Sequence, residues 1–157
     1  MSNTNDKRAT RCVSILIATA LSVFVIDLLT KMLLPTAAQA YHIRSFRQLV
    51  AMIVISAISA IAFSRAGSRM LALAGGLMIG GGFGNAFSSA LTGRGIPNPF
   101  SIHAVGQTIA FNAADVGVGL GVILLAFGVV ITIITRRGEL EQPMAPVHLP
   151  PAEGRHS

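Results

Sequence analysis

Two carboxylates interrupt apolar stretches of this chain, and each has a polar partner at helical spacing. Asp115 follows Asn112 by three residues, and Asp27 precedes Lys31 by four. Side chains three or four residues apart lie on one face of a helix. An ionisable group inside an apolar segment is costly in lipid and by default marks a functional site. Because a carboxylate can serve as a general base or acid, these residues indicate a site for proton transfer or polar binding within a membrane segment.

The composition is that of an integral membrane protein. Of the 157 residues 52% are hydrophobic and 11% are charged, whereas about a quarter of the residues of a soluble domain are charged. Four segments are long enough to cross a bilayer, which takes roughly 20 apolar residues; they are 12–34, 48–64, 70–91 and 108–135. Because lipid cannot satisfy open backbone groups, all four are predicted to be helices. The predicted fold is an all-α integral membrane bundle of four transmembrane helices, with one membrane domain at 12–135.

The basic residues predict the orientation of this bundle, because cytoplasmic loops carry an excess of Lys and Arg. Three basic clusters fall on one side of a four-helix arrangement: Lys7, Arg8 and Arg11; Arg65 and Arg69; Arg136 and Arg137. We therefore expect both termini in the cytoplasm, with 1–11 as a basic N-terminal segment and 136–157 as a disordered polar tail. Arg44 and Arg47 in the first outer loop run against this rule. The isoelectric point near 11.1 then reflects membrane orientation, and no aromatic-basic platform for a nucleic acid is visible.

Residues 38–40, Ala-Gln-Ala, resemble a signal-peptide cleavage site, so the first span could alternatively be a signal peptide that is removed. Its apolar run is longer than a signal-peptide core and contains Asp27 and Lys31, which favours a retained helix. The single Cys12 excludes an internal disulfide and offers no metal cluster. We expect no metal and no cofactor.

Helical rise brings the polar residues to one depth. Asp27, Asn85 and Asp115 each lie about six or seven residues from the outer end of the predicted helix, which is roughly 10 Å at 1.5 Å per residue. Each alone could be a hydrogen bond between packed helices. Asp27 and Lys31 together could be a structural latch, with the lysine reaching towards the interface. Their coincidence at one level favours a site.

Glycines recur at every fourth position in two of the predicted helices. The positions are Gly76, Gly80 and Gly84 in the third helix, and Gly117 and Gly121 in the fourth. Small residues at this spacing let helix backbones approach closely in lipid. We therefore predict tight packing along these two stripes.

Three motifs, in this order, resemble those of signal peptidase II, the lipoprotein signal peptidase. Residues 27–31 resemble its DxxTK motif, 81–85 its GGxxGN motif and 111–115 its FNxAD motif. The resemblance covers roughly 12–135 and implies an aspartic protease inside the bacterial cytoplasmic membrane. Such an enzyme removes the signal peptide of a prolipoprotein just before its lipid-modified cysteine, so it implies prolipoprotein signal peptides and membrane lipid as partners.

The resemblance also implies roles for residues of this chain. Two carboxylates of the family flank a water and share a proton, because like charges a few ångströms apart cannot both ionise. Asp115 is then one member of the catalytic pair. Asn85, Asn112 and Lys31 are then residues that order the site.

The chain departs from the family pattern where the second carboxylate is expected. Asn98 stands at the place of that aspartate, and an amide cannot share a proton. Ser88 and Ser89 occupy the positions of an Asp-Arg pair that follows GGxxGN in the family. The family's Asn-x-Gly-x-Ala-Phe motif before the second helix is missing. The first outer loop, 35–47, is expected to be too short for the family's extracytoplasmic sheet.

Three substitutes for the missing carboxylate are open. Deamidation of Asn98 would produce an aspartate, but it is disfavoured because deamidation is fastest before Gly and Pro99 follows here. Asp27 lies at the right predicted depth and could be a surrogate acid. Ser88 or Ser89 could be a nucleophile, which needs a base, and His103 is the nearest histidine in the sequence.

Three functions remain from the sequence. The first is a signal peptidase II-like intramembrane aspartic endopeptidase with weakened or lost activity. The second is a catalytically inactive paralogue that binds lipopeptides or acylated signal helices. The third is a small transporter or channel subunit with Asp27 and Asp115 on an ion path, which the three motifs favour least.

Overall fold

A computed structural model describes residues 2–43, 45–65, 68–93 and 95–140. In chain order the elements are α1 (Ser2–Leu33), a short 3-10 turn (Ala38–Ala40), β1 (Tyr41–His42), α2 (Phe46–Arg65), α3 (Arg69–Thr92), β2 (Ile96–Pro97), β3 (Phe100–Ala104), β4 (Gln107–Phe111) and α4 (Ala113–Leu140). The fold is therefore mostly helical, as predicted.

Three helices are long and apolar enough to cross a membrane within these described ranges: Asp6–Leu33, Arg69–Thr92 and Ala113–Thr135. The predicted second span, 48–64, lies within α2, which contains the shorter apolar stretch Val50–Ser59. The mostly helical fold and the three helices of spanning length agree with the predicted helical membrane protein, and the structure adds four short strands in the part of the chain that it describes. The fourth span and the cytoplasmic placement of the termini remain predictions.

Helix α3 occupies the centre of the bundle and contacts α1, α2 and α4. In its most apolar window 61% of the residues are buried, against 17% and 18% in the windows of α1 and α4. Glycine makes this central position possible. A Cβ added at Gly76 would lie 2.7 Å from the Leu16 carbonyl oxygen of α1, and one added at Gly81 would lie 2.5 Å from the Ala114 carbonyl oxygen of α4. Gly76 belongs to the predicted α3 stripe, and in the α4 stripe a Cβ at Gly121 would lie 2.9 Å from the Ala74 carbonyl oxygen. These two contacts confirm the tight packing predicted from the glycine spacing, and Gly81 adds a close contact outside the predicted stripes.

A side chain at Gly81 is expected to separate α3 from α4. We predict that Gly81→Ala lowers the free energy of unfolding by about 1–3 kcal/mol, the usual cost of overpacking. The matched control is Gly119→Ala on α4, where an added Cβ meets nothing within 4 Å and alanine raises helix propensity. Thermal unfolding of both variants in detergent measures the difference. Equal unfolding temperatures for the two variants would contradict the close contact.

Two predicted helix starts are corrected by the structure. Helix α1 begins at Ser2 instead of residue 12, so the basic N-terminal segment is a continuation of the first helix. Helix α4 begins at Ala113 instead of residue 108, because Gln107–Phe111 pairs with Phe100–Ala104 as a hairpin. Helix α4 also continues to Leu140, into the segment predicted as a disordered tail. Residues 141–157 of that predicted tail lie outside the described residues.

Two small antiparallel pairings lie at the end of the bundle where α3 ends and α4 begins. Strands β1 and β2 pair Tyr41 with Pro97 and His42 with Ile96. The loop 35–47 therefore does contribute a strand, although it was expected to be too short for a sheet. Strands β3 and β4 form the hairpin, which turns at Val105 and Gly106 with φ of 48° and 73°. Positive φ at both central positions matches a two-residue hairpin turn.

Candidate functional site

Asp27 and Lys31 form a buried ion pair on α1. The Lys31 Nζ donates to Asp27 Oδ2 at 2.6 Å, and the two side chains are 3% and 0% exposed, lysine first. The same ammonium donates to Asn85 Oδ1 at 2.9 Å and to Ser88 Oγ at 3.2 Å, both on α3. These three bonds use all three donors of the ammonium. Burial of the charges is therefore compensated by the partner charge and by α3.

Asp115 lies in the first turn of α4 and forms a reciprocal cap with Asn112. The Asp115 N–H donates to Asn112 Oδ1 at 3.0 Å, and the Asn112 N–H donates to Asp115 Oδ2 at 3.2 Å. This is the arrangement of a capping box, with Asn at the N-cap position and Asp in place of the usual Glu or Gln at the third helical position. It accounts for the start of α4 at Ala113. The other oxygen, Asp115 Oδ1, accepts from Asn85 Nδ2 at 3.0 Å.

Asp27 also caps α4, although it belongs to α1. The Ala114 N–H donates to Asp27 Oδ1 at 2.9 Å. Two carboxylates thus lie at the N-terminus of α4, where free N–H groups and the helix dipole favour negative charge. Close approach of α3 is required here, since a Cβ at Gly84 would lie 2.6 Å from Asp27 Oδ2. Gly84 of the GGxxGN stretch therefore makes room for the Asp27 carboxylate.

Asn98 is held as an amide by partners on both sides. Its Oδ1 accepts from Asn112 Nδ2 at 2.6 Å, and its Nδ2 donates to the Ala110 carbonyl oxygen at 3.4 Å. The same Nδ2 lies 3.3 Å from His42 Nδ1. Because the Asp115 N–H donates to Asn112 Oδ1, the Asn112 amide must direct its Nδ2 towards Asn98. The Asp115 N–H on one side and the Ala110 carbonyl oxygen on the other therefore fix the orientation of the Asn112 and Asn98 amides.

The structure brings seven of the eight predicted site residues into one hydrogen-bonded network. They are Asp27, Lys31, Asn85, Ser88, Asn98, Asn112 and Asp115. Ser89 is half-buried and joins none of these bonds within the part of the chain that the structure describes. The common depth predicted for Asp115 relied on a helix beginning at residue 108. Its place at the first turn of α4 has a different cause, because α4 itself begins at the level where α1 and α3 end.

The alternative of a serine nucleophile with His103 as its base is not formed among the described residues. Ser88 donates its hydroxyl to the Gly84 carbonyl oxygen at 2.6 Å and accepts from Lys31. His103 lies on the exposed hairpin, where its Nδ1 is 2.8 Å from Thr108 Oγ1. Ser88 is therefore a ligand of the lysine and has no histidine partner among the described residues.

Sequence reasoning missed His42 and the backbone contacts of Asn98. His42 lies in the segment 35–47, and its contact with Asn98 depends on the pairing of β1 with β2. The capping box had a readable signal, an Asn followed three residues later by an Asp. The prediction of a helix from residue 108 hid that signal.

The network can hold charge and orient polar groups, but its two carboxylates are not joined to each other. The path from Asp27 to Asp115 runs through the Lys31 ammonium and the Asn85 amide. Both Asp27 oxygens accept from fixed donors, and Asp115 is partly exposed. No group of three or more His, Cys, Asp or Glu side chains that could hold a metal ion occurs in the described ranges.

Comparison with known proteins places this network in a family. No individual curated protein matches the chain. The family model described as signal peptidase (SPase) II matches residues 33–131. The match includes Asn85, Asn98, Asn112 and Asp115, while Asp27 and Lys31 precede it and join them through hydrogen bonds. With well over half of its length matched and three motifs joined at one site, the chain belongs to the signal peptidase II family.

Proposed function

We propose that this chain binds the signal peptides of lipid-modified prolipoproteins and does not cleave them by the two-carboxylate mechanism of its family. The observation that carries the proposal is that Asp115 is hydrogen-bonded to amide groups and to no second carboxyl group among the described residues. Its neighbours in the network are the amides Asn85 and Asn112, and a third amide, Asn98, stands where the second carboxylate is expected.

The mechanism of the family needs two acids that share one proton. Asn98 cannot take part, because an amide neither gives nor takes a proton at neutral pH. Asp27 is fully buried, and its charge is balanced by Lys31 at 2.6 Å. Asp27 and Asp115 are not hydrogen-bonded to each other, and the chain of side-chain bonds that connects them passes through the Lys31 ammonium and the Asn85 amide. The two carboxylates therefore do not share a proton in this arrangement. Asp27 is thus a structural counter-ion for Lys31 and a cap for α4, and it is not the surrogate acid.

Retention of the rest of the network supports a binding role. Asn85, Asn112 and Asp115 keep the positions of the family motifs and are held by backbone groups and by each other. We place the protein in the bacterial cytoplasmic membrane, with both termini in the cytoplasm and the site at the outer face. Helix α2 is the fourth span in this arrangement, since its 20 residues give about 30 Å at 1.5 Å per residue, which equals the hydrocarbon thickness.

Crosslinking and cleavage of one substrate test the proposal together. A diacylglyceryl-modified prolipoprotein with a photoreactive residue in its signal peptide is mixed with the purified chain in detergent. We expect crosslinking without cleavage by the wild-type chain and by Asp115→Asn. Asp6→Asn, at an exposed acid near the other end of α1, is the matched control, and the same prolipoprotein without its lipid tests lipid dependence.

Two results would overturn the proposal. Cleavage by the wild-type chain that Asp115→Asn abolishes would show an active peptidase. Absence of crosslinking in both forms of the substrate would show that the retained network does not bind signal peptides.

A further inference from the structure

The β3–β4 hairpin has one apolar face. Its register pairs Phe100 with Phe111 and Ile102 with Ile109. Successive side chains of a strand point to opposite faces, so these four side chains share one face. The rings of Phe100 and Phe111 lie 5.6 Å apart. The opposite face carries Ser101, His103 and Thr108.

This apolar face and the tip of the hairpin are exposed. Ile102 and Ile109 are 51% and 49% exposed, and Val105 at the turn is fully exposed. Val105 also has a positive φ of 48°, which is uncommon for a β-branched residue. Residues 100–111 contain no Asp, Glu, Lys or Arg. Ala104 and Gln107 form the next pair on this face, so its apolar part extends from Phe100 and Phe111 to Ile102 and Ile109. An uncharged segment with such an exposed apolar area is typical of an interaction surface.

The apolar face of the hairpin continues into the faces of two membrane helices. At its base, Phe100 and Phe111 line an apolar groove of about 430 Å³. The groove is completed by residues of α1 and α4, among them Val23, Ile26, Val116 and Leu120. Ile26, Val116 and Leu120 are 55%, 46% and 50% exposed, and they belong to segments that can span a membrane. Residues that are exposed on such segments face lipid.

We propose that the hairpin lies on the membrane with this apolar face against lipid acyl chains of the adjacent leaflet. That leaflet is the one at which α1 and α3 end and α4 begins. Lipid is the occupant that the structure supports, because the groove joins the hairpin to the lipid-facing sides of α1 and α4. Ile102 and Ile109 extend this surface beyond the helices, Val105 is exposed at the turn, and the polar face with His103 and Thr108 is turned to water. The inference does not depend on the proposed binding of signal peptides.

Single tryptophans can test this placement, because the chain contains no tryptophan. Ile109→Trp reports on the apolar face, and the adjacent Thr108→Trp is its matched control on the polar face. The full chain is placed in nanodiscs of phosphatidylethanolamine and phosphatidylglycerol, with and without brominated acyl chains. We expect blue-shifted emission and strong quenching by the brominated lipid for Ile109→Trp. We expect red-shifted emission and quenching by aqueous iodide for Thr108→Trp.

Val105→Trp provides a second reading at the turn, where a larger side chain disturbs no packing. Quenching of Val105→Trp by the brominated lipid is expected as well. Iodide quenching of Ile109→Trp and Val105→Trp to the same extent as Thr108→Trp would overturn the proposal. A blue shift of Ile109→Trp that occurs only after a prolipoprotein is added would also overturn it, because the apolar face would then be a surface for substrate.

Discussion

Replacement of Asp27 by asparagine is expected to destabilise the folded protein by about 3–5 kcal/mol, the cost of leaving one member of a buried ion pair without its partner. Lys31 would keep its bonds to Asn85 and Ser88, but its buried positive charge would lose the carboxylate that is hydrogen-bonded to it. The Ala114 N–H at the start of α4 would also lose a charged acceptor. Unfolding in detergent, followed by circular dichroism, measures the loss.

Removal of both charges separates the ion pair from the cap. In Asp27→Leu/Lys31→Met no charge is left buried, so we expect a smaller loss of stability than in Asp27→Asn alone. A residual loss of about 1–3 kcal/mol is expected from the unsatisfied Ala114 N–H. Asp6→Asn serves as the control, because Asp6 is exposed at the other end of α1. Wild-type stability of Asp27→Asn would show that the pair is not needed for the fold. If that variant then lost a proteolytic activity of the wild type, Asp27 would be the surrogate acid.

The membrane helices could be predicted from the sequence because apolar length is a local property. Segments 48–64 and 70–91 lie within two residues of the observed bounds of α2 and α3. The close packing at the α3 glycines could be predicted for the same reason, since their spacing in the sequence alone defines a helix face without side chains. What they pack against could not be predicted. Gly84 faces the Asp27 carboxylate and Gly81 faces the Ala114 carbonyl oxygen.

For the polar site, the sequence could predict which residues take part but not which hydrogen bonds they form. Asp27, Asn85 and Asp115 were grouped by depth, and the network does contain them. Their bonds depend on tertiary contacts that spacing does not show. The sequence offered no sign that Asp27 reaches the backbone of α4 or that Lys31 bonds to α3.

The hairpin was missed because its residues are apolar and lie directly before a long apolar helix. Residues 107–111 extend the hydropathy of α4, so a prediction from composition assigns them to the helix. Their alternation becomes meaningful only when β3 is recognised as the partner strand. Because of the same error, the prediction placed Asp115 about seven residues inside a helix. Its capping bond with Asn112 at the true start of α4 was therefore not recognised.

Replacement of Asn98 by aspartate is expected to create the missing proteolytic activity. Asn112 joins positions 98 and 115, since it donates to Asn98 Oδ1 and accepts from the Asp115 N–H. In Asn98→Asp one carboxyl oxygen can still accept from Asn112 Nδ2. The other faces the Ala110 carbonyl oxygen, where only a donor fits, so the introduced acid fits this place in its protonated form. A protonated acid near the Asp115 carboxylate is the state that a catalytic pair of aspartates requires.

Cleavage of a diacylglyceryl-modified prolipoprotein in detergent measures this gain. We expect product from Asn98→Asp at a rate about 10²–10⁴ times that of the wild type, the usual contribution of a positioned acid or base. The double variant Asn98→Asp/Asp115→Asn should return to the wild-type rate, because one carboxylate is again missing. Ser101→Asp, which adds an acid on the exposed polar face of β3, controls for charge alone. If Asn98→Asp binds substrate but does not cut it, Asn98 does not stand at the place of the catalytic aspartate. A wild-type chain that already cuts at the rate of the variant would instead show that Asp115 has another catalytic partner.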